Sequence, residues 1–132
     1  MLPNSITFIS LAKETFSFLS NAGFEFSTET SPTSDTVIFK AKNVAVQLSS
    51  DRRDDCIDFT ICKVSDNQLG NWRNFHNFLV AQRSYRGSFA EFREPSLPIS
   101  ASTIVATYAA ALQSLTPEVI ADSPSIFDQA NA

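Results

Sequence analysis

Glycine is scarce in this chain of 132 residues, with three in all, and histidine and tryptophan occur once each. With so few glycines there is no Gly-rich phosphate cradle and no Gly-x-Ser-x-Gly nucleophile elbow, so the usual nucleotide-binding and hydrolase signatures are absent. A single imidazole and two cysteines leave little to build a zinc site from, and no Cys-x-x-Cys pair is present. Cys56 and Cys62 stand six apart in one expected strand. At about 3.3 Å per residue their Cα atoms lie roughly 20 Å apart, too far for a bridge, so both are expected as free thiols on one strand face. No cofactor and no metal are expected.

Long apolar runs are missing as well. None approaches the roughly 18 to 20 residues that cross a bilayer, and Met1 to Ser10 lacks the basic and apolar regions of a signal peptide. A cytoplasmic protein without membrane contact is expected. Positive charge is in the minority, ten Lys and Arg against fourteen Asp and Glu for a net charge of −4. That is the wrong sign for attraction to a phosphate backbone, which speaks against nucleic acid as a partner.

What the chain has in quantity is apolar bulk, 43% of residues including twelve Phe, enough for one domain over 1–132 with its own core. The stretch 36–64 shows how it is used. Val37, Phe39 and Ala41, then Val44, Val46 and Leu48, then Ile57, Phe59 and Ile61 recur every second residue, the spacing of one face of a pleated sheet. The residues between them, Lys40, Gln47, Ser49, Asp58 and Thr60, give the other face a polar character.

Before this stretch, Phe8, Leu11, Ala12, Phe16 and Leu19 mark one face of a helix that starts near Asn4 or Ser5 and ends at Gly23. Phe24-Glu25-Phe26 then begins a short first strand. Residues 27–35 read as an exposed hairpin loop, and Lys42-Asn43 as a tight turn. The charged run from Ser49 to Asp55 reads either as a cation-binding carboxylate cluster or as a solvated tip in which Arg52 and Arg53 neutralise Asp51, Asp54 and Asp55; the local neutralisation favours the tip.

Beyond Val64, Ser65 to Gly70 reads as a loop, and a helix is expected from about Asn71 to Arg83 on the spacing of Trp72, Phe75, Phe78, Leu79 and Gln82. Trp72, Arg73, His76, Arg83, Tyr85, Arg86, Phe89, Phe92 and Arg93 form an Arg and aromatic segment of the composition that binding interfaces favour. The same composition also holds a long loop onto a core. Then comes the clearest helix, capped by Ser100 or Ser102, with Ile104, Val105, Tyr108, Ala109, Leu112 and Leu115 on one stripe. Thr116-Pro117-Glu118 restarts a short helix with Thr as N-cap, and Val119, Ile120, Ile126 and Phe127 are expected at the core's edge. The residues from 99 onward hold three acidic side chains and no basic one, a surface that suits a basic partner.

Together these spacings predict an α+β fold, a four-stranded antiparallel meander with one helix before it and two or more after it, all packed on one sheet face. The ordered pattern Phe18-Leu19, Gly23-Phe24, Val37-x-Phe39, Val44-x-Val46-x-Leu48, Asp51-x-Arg53, Asp58-x-x-Ile61, Tyr108-Ala109, Leu112 and Ile126-Phe127 resembles a broad group of small bacterial α+β proteins. Some of that group are similar to immunity proteins that neutralise toxins. The lack of a catalytic constellation, the acidic surface and the Arg and aromatic segment from Trp72 to Arg93 point to a non-enzymatic binding or regulatory role with a protein partner. The resemblance implies that this role is immunity-like, and no catalytic residue carries over from it. Two further readings accompany it: a small-molecule binder or hydrolase with a pocket between the sheet and residues 66–98, using His76, Asp58 and Arg73, and a homodimer formed through a sheet face softened by Ile38, Ala45, Cys56 and Cys62.

Overall fold

The computed structural model describes residues 5–53, 56–82 and 100–128. Its class is the expected α+β, with an antiparallel, curled sheet. The strand count is six rather than four. β1 (Glu25–Thr30), β2 (Ser34–Lys40), β3 (Val44–Asp51) and β4 (Cys56–Ser65) form the meander, and two short strands, β5 (Gln68–Leu69) and β6 (Arg73–Asn74), both pair with the outer edge of β4.

The period-two residues decide the register. Phe39 stands opposite Phe26 on one side and Val46 on the other, while Leu48 faces Phe59 and Val46 faces Ile61, so one face is apolar in every strand. That face carries the core. Phe59, which is fully buried, lies with its ring centroid 4.9 Å from Phe75, 5.0 Å from Tyr108 and 5.5 Å from Phe16. Aromatic rings at these separations add to the area they bury.

The helices supply the other half of that core. The N-terminal helix is two pieces, α1 (Ser5–Thr15) and α2 (Ser17–Asn21), divided at Phe16, whose backbone leaves the helical region at φ −102, ψ 22. The apolar stripe ran unbroken through this point, and the break leaves Phe8, Ala12, Phe16 and Leu19 all fully buried. Gly23 then takes φ +101, the left-handed conformation expected of a residue just past a helix end. α3 (Phe75–Gln82) starts four residues later than its spacing predicted, because Arg73 and Asn74 pair with β4 first; Asn74 Oδ1 then accepts the Asn77 N–H at 3.0 Å as the helix begins.

α4 (Ala101–Leu115) is capped as expected, the Ser100 hydroxyl accepting the Thr103 N–H, and it buries Ile104, Val105, Tyr108, Ala109 and Leu112. Thr116 departs from its expected role. Its hydroxyl turns back to donate to the Leu112 carbonyl at 2.9 Å, so it closes α4 rather than capping α5 (Pro117–Ile120). α6 (Ser125–Asp128) completes the described chain, and Val119, Ile126 and Phe127 are buried as anticipated.

Two connections differ from their expected form, and a third makes a contact that the sequence did not suggest. The loop expected over 27–35 shrinks to residues 31–33, since β1 runs on to Thr30, and the Ser31 hydroxyl accepts the Thr33 and Ser34 N–H groups to shape the turn. The loop expected over 65–70 is a hairpin, with Asp66 at φ 52 and Asn67 at φ 63 as the two turn residues. Two consecutive positive φ values define the turn whose twist suits a two-residue hairpin. At the charged tip, where Asp54 and Asp55 lie outside the described residues, Arg52 reaches across to the neighbouring hairpin. It forms an ion pair with fully buried Asp35 and donates to the Ser31 and Pro32 carbonyls at 2.9 and 3.0 Å, which fastens one end of the sheet.

Candidate functional site

The helices occupy one face of the sheet, and the register defines what lies on the other. Strand alternation places Glu25, Ser27 and Glu29 of β1 beside Lys40, Ile38 and Thr36 of β2, then Ala45, Gln47 and Ser49 of β3, then Cys62, Thr60 and Asp58 of β4. Glu25, Glu29, Ser27 and Asp58 are exposed, and Thr36, Ile38, Gln47, Ser49 and Thr60 are half-buried. Short hydrogen-bonded side chains line the middle, with Thr36 and Ser49 hydroxyls 3.3 Å apart and Gln47 Nε2 donating to Ser49 at 3.4 Å. Among the described residues the one large side chain packed over this face is Trp72, which covers Ala45, Cys62 and Val64.

Trp72 reaches that position through a bulge. Val64 pairs with Leu69 and Ile61 pairs with Arg73, so two residues of β4, Cys62 and Lys63, oppose three residues, Gly70, Asn71 and Trp72. One extra residue in a strand kinks it and re-aims the side chains after it. Gly70 permits the close approach: its N–H donates to the Lys63 carbonyl at 2.9 Å, and a Cβ built on it would stand 2.9 Å from that same oxygen.

The sequence-predicted site residues separate in space. Trp72 lies on the open face, whereas Arg73, paired with core-facing Ile61, sets its guanidinium carbon 5.1 Å from the centroid of the Phe78 ring on the helix side. A cation over an aromatic face is attracted by the ring quadrupole, so Arg73 is engaged by α3. His76 lies half-buried on α3. Asp58 belongs to the open face and Arg73 to the other, so the group His76, Asp58 and Arg73 does not line one cleft. Arg83, Tyr85, Arg86, Phe89, Phe92 and Arg93 lie outside the described residues.

The thiols share the open face, as their even spacing predicted. Cys62 is buried beneath Trp72 and Cys56 is half-exposed with its Sγ 3.8 Å from Asp58 Oδ2, and neither forms a disulfide. Burial pushes the Cys62 thiol above its ordinary pKa, with a hydrogen bond from the Gly70 backbone working the other way. Among the described residues no three His, Cys, Asp or Glu side chains converge to hold a metal ion, and no helix is long and apolar enough to cross a membrane.

Fold and face together define an α+β protein with helices packed on one side of an antiparallel sheet and a polar, acid-edged face on the other. No protein-family model matches the chain, and no match is found among curated proteins or solved structures.

Proposed function

We propose that the chain is a non-enzymatic protein-binding domain, and that it recognises a basic partner through the open face of the sheet. One observation carries the reading. The strand register gathers the exposed carboxylates Glu25, Glu29 and Asp58 around a centre of Ile38, Gln47 and Thr60, and a bulge lays Trp72 along the same face. An aromatic anchor, small hydrogen-bonding side chains and charge of one sign are the ingredients of a protein interface whose charges set orientation and association rate. The one lysine on these rows, Lys40, donates to the Asn67 carbonyl and side-chain oxygen at 3.1 and 2.6 Å, which ties its charge to the neighbouring turn.

The same face is poorly suited to pairing with a copy of itself. Trp72 already covers Ala45 and Cys62, which removes most of the apolar surface that a homodimer would use, and self-association brings like charges together.

The test is capture of partners from an extract of the source cell, with wild type and the triple variant Glu25→Lys, Glu29→Lys, Asp58→Lys as parallel baits. A partner held by the wild type, weakened by salt and lost from the variant, supports the reading. Equal retention by both baits, or a wild-type chain that holds nothing, sinks it.

A further inference from the structure

The turn between β2 and β3 presents three consecutive backbone N–H groups to one carboxylate. Lys42 N–H donates to Asp122 Oδ2 at 3.1 Å, and Asn43 and Val44 N–H donate to Asp122 Oδ1 at 2.8 and 3.0 Å. Asn43 Nδ2 donates in return to the Asp122 carbonyl at 3.1 Å. Convergent N–H groups of this kind form a concavity that accepts anions, the same device that holds phosphates in other proteins. Asp122 comes from a distant part of the chain, just after α5, and takes φ 55 to reach it. In this respect it behaves as a ligand supplied by the protein itself.

A cleft of about 450 Å³ lies directly beside this nest. Lys42 and Asn43 of the nest line it, with Lys63, Asn67 and Pro124. Lys42 and Lys63 flank its mouth, and neither ammonium forms an ion pair with a described residue. Asp66, which is exposed, is the one carboxylate on its wall. The wall of the cleft thus carries two lysines against one aspartate in a protein whose net charge is −4, and the Asp122 carboxylate in the nest beside it supplies the balancing negative charge.

We propose that the β2–β3 turn is an oxyanion-binding site held closed by an internal ligand. A carboxylate or phosphate group entering the cleft between Lys42 and Lys63 takes the three N–H groups from Asp122 and releases the segment after α5 from the sheet. The site is at the end of the sheet and does not depend on the open face acting as an interface. An internal carboxylate competes at the effective concentration set by its tether, commonly millimolar. Removing it therefore strengthens external binding by about tenfold.

The experiment titrates inorganic phosphate and, separately, acetate into the isotope-labelled full chain at constant ionic strength in sodium chloride, following backbone amide signals. In Asp122→Ala the Lys42, Asn43 and Val44 amides shift saturably, about tenfold more tightly than in the wild type. In the wild type the same shifts are accompanied by movement of the amides around Asp122 as it leaves. Lys42→Gln with Lys63→Gln weakens binding in both backgrounds. A response to phosphate above acetate assigns a phosphorylated ligand, and the reverse assigns a carboxylate such as an acidic peptide. Should Asp122→Ala fail to fold, Asp122→Asn keeps the shape without the charge and is compared in the same way. Amides that move no more than with chloride, or equal affinity with and without the Asp122 carboxylate, overturn the proposal.

Discussion

Phe59 shows how a single side chain organises the interior. Its ring touches Phe16 from the N-terminal helices, Phe75 from α3 and Tyr108 from α4, so truncation removes contacts to three elements at once. Phe59→Ala is expected to cost about 3 to 5 kcal/mol in urea unfolding, the usual range for a large core aromatic. Unchanged stability would mean that the strand is slipped by one residue, with Phe59 on the open face. The two thiols give a second contrast at this scale. Cys56, half-exposed, is expected to react with a thiol reagent at pH 8 in the native protein, while Cys62 reacts only on unfolding. Because the folded Cys62 thiol binds its proton more tightly than the unfolded one, its contribution to stability is fully present below the unfolded thiol pKa of about 8.5 and is lost as pH rises from there through the folded value. Stability that climbs between about pH 8 and 10 in the wild type, relative to Cys62→Ala, would contradict this. The core residues were legible because period two is a covalent property of a strand. The Arg52–Asp35 ion pair was not, because Asp35 is far from Arg52 in the chain and is brought to it only by strand pairing.

At the level of elements, the meander and α4 could be read directly, whereas the stretch between β4 and α3 could not. Asp66-Asn67 contains no glycine to announce a turn with two positive φ values, although Asp and Asn are the non-glycine residues that tolerate that conformation best. The extra residue in Gly70, Asn71 and Trp72 leaves no trace in a hydrophobic pattern, because its effect is to spoil the alternation by which strands are recognised. This bulge also decides which face Trp72 joins. Gly70→Ala is therefore expected to push the segment from β5 to β6 away from the edge of β4, since the new methyl meets the rigid Lys63 carbonyl at 2.9 Å. Such overpacking costs about 1 to 3 kcal/mol, and the fluorescence of Trp72, the only tryptophan, should shift to the red as it leaves its seat over Cys62. Full stability with an unmoved emission maximum would show that the edge has room to relax.

For the molecule as a whole, the asymmetry between its two sheet faces is the feature with consequences for association. One face is closed by α1 to α6 around an aromatic centre. The other presents Glu25, Glu29 and Asp58, and Leu69, 42% exposed, is the one large hydrophobic side chain among the described residues that stands well out into solvent. A stable homodimer needs a contiguous apolar patch of several hundred Å² on each copy, and isolated Leu69 does not provide it. Among the described residues the open face therefore offers no seat for a second copy, and light scattering against the monomer mass of 14.5 kDa checks this. Salt separates the causes of any departure. Screening at high ionic strength reduces repulsion between acidic faces, so weak self-association confined to concentrated salt agrees with the charge pattern described. A dimer that persists at low ionic strength and dissociates on Trp72→Ala would instead place a second copy on the open face and overturn its assignment to a basic partner.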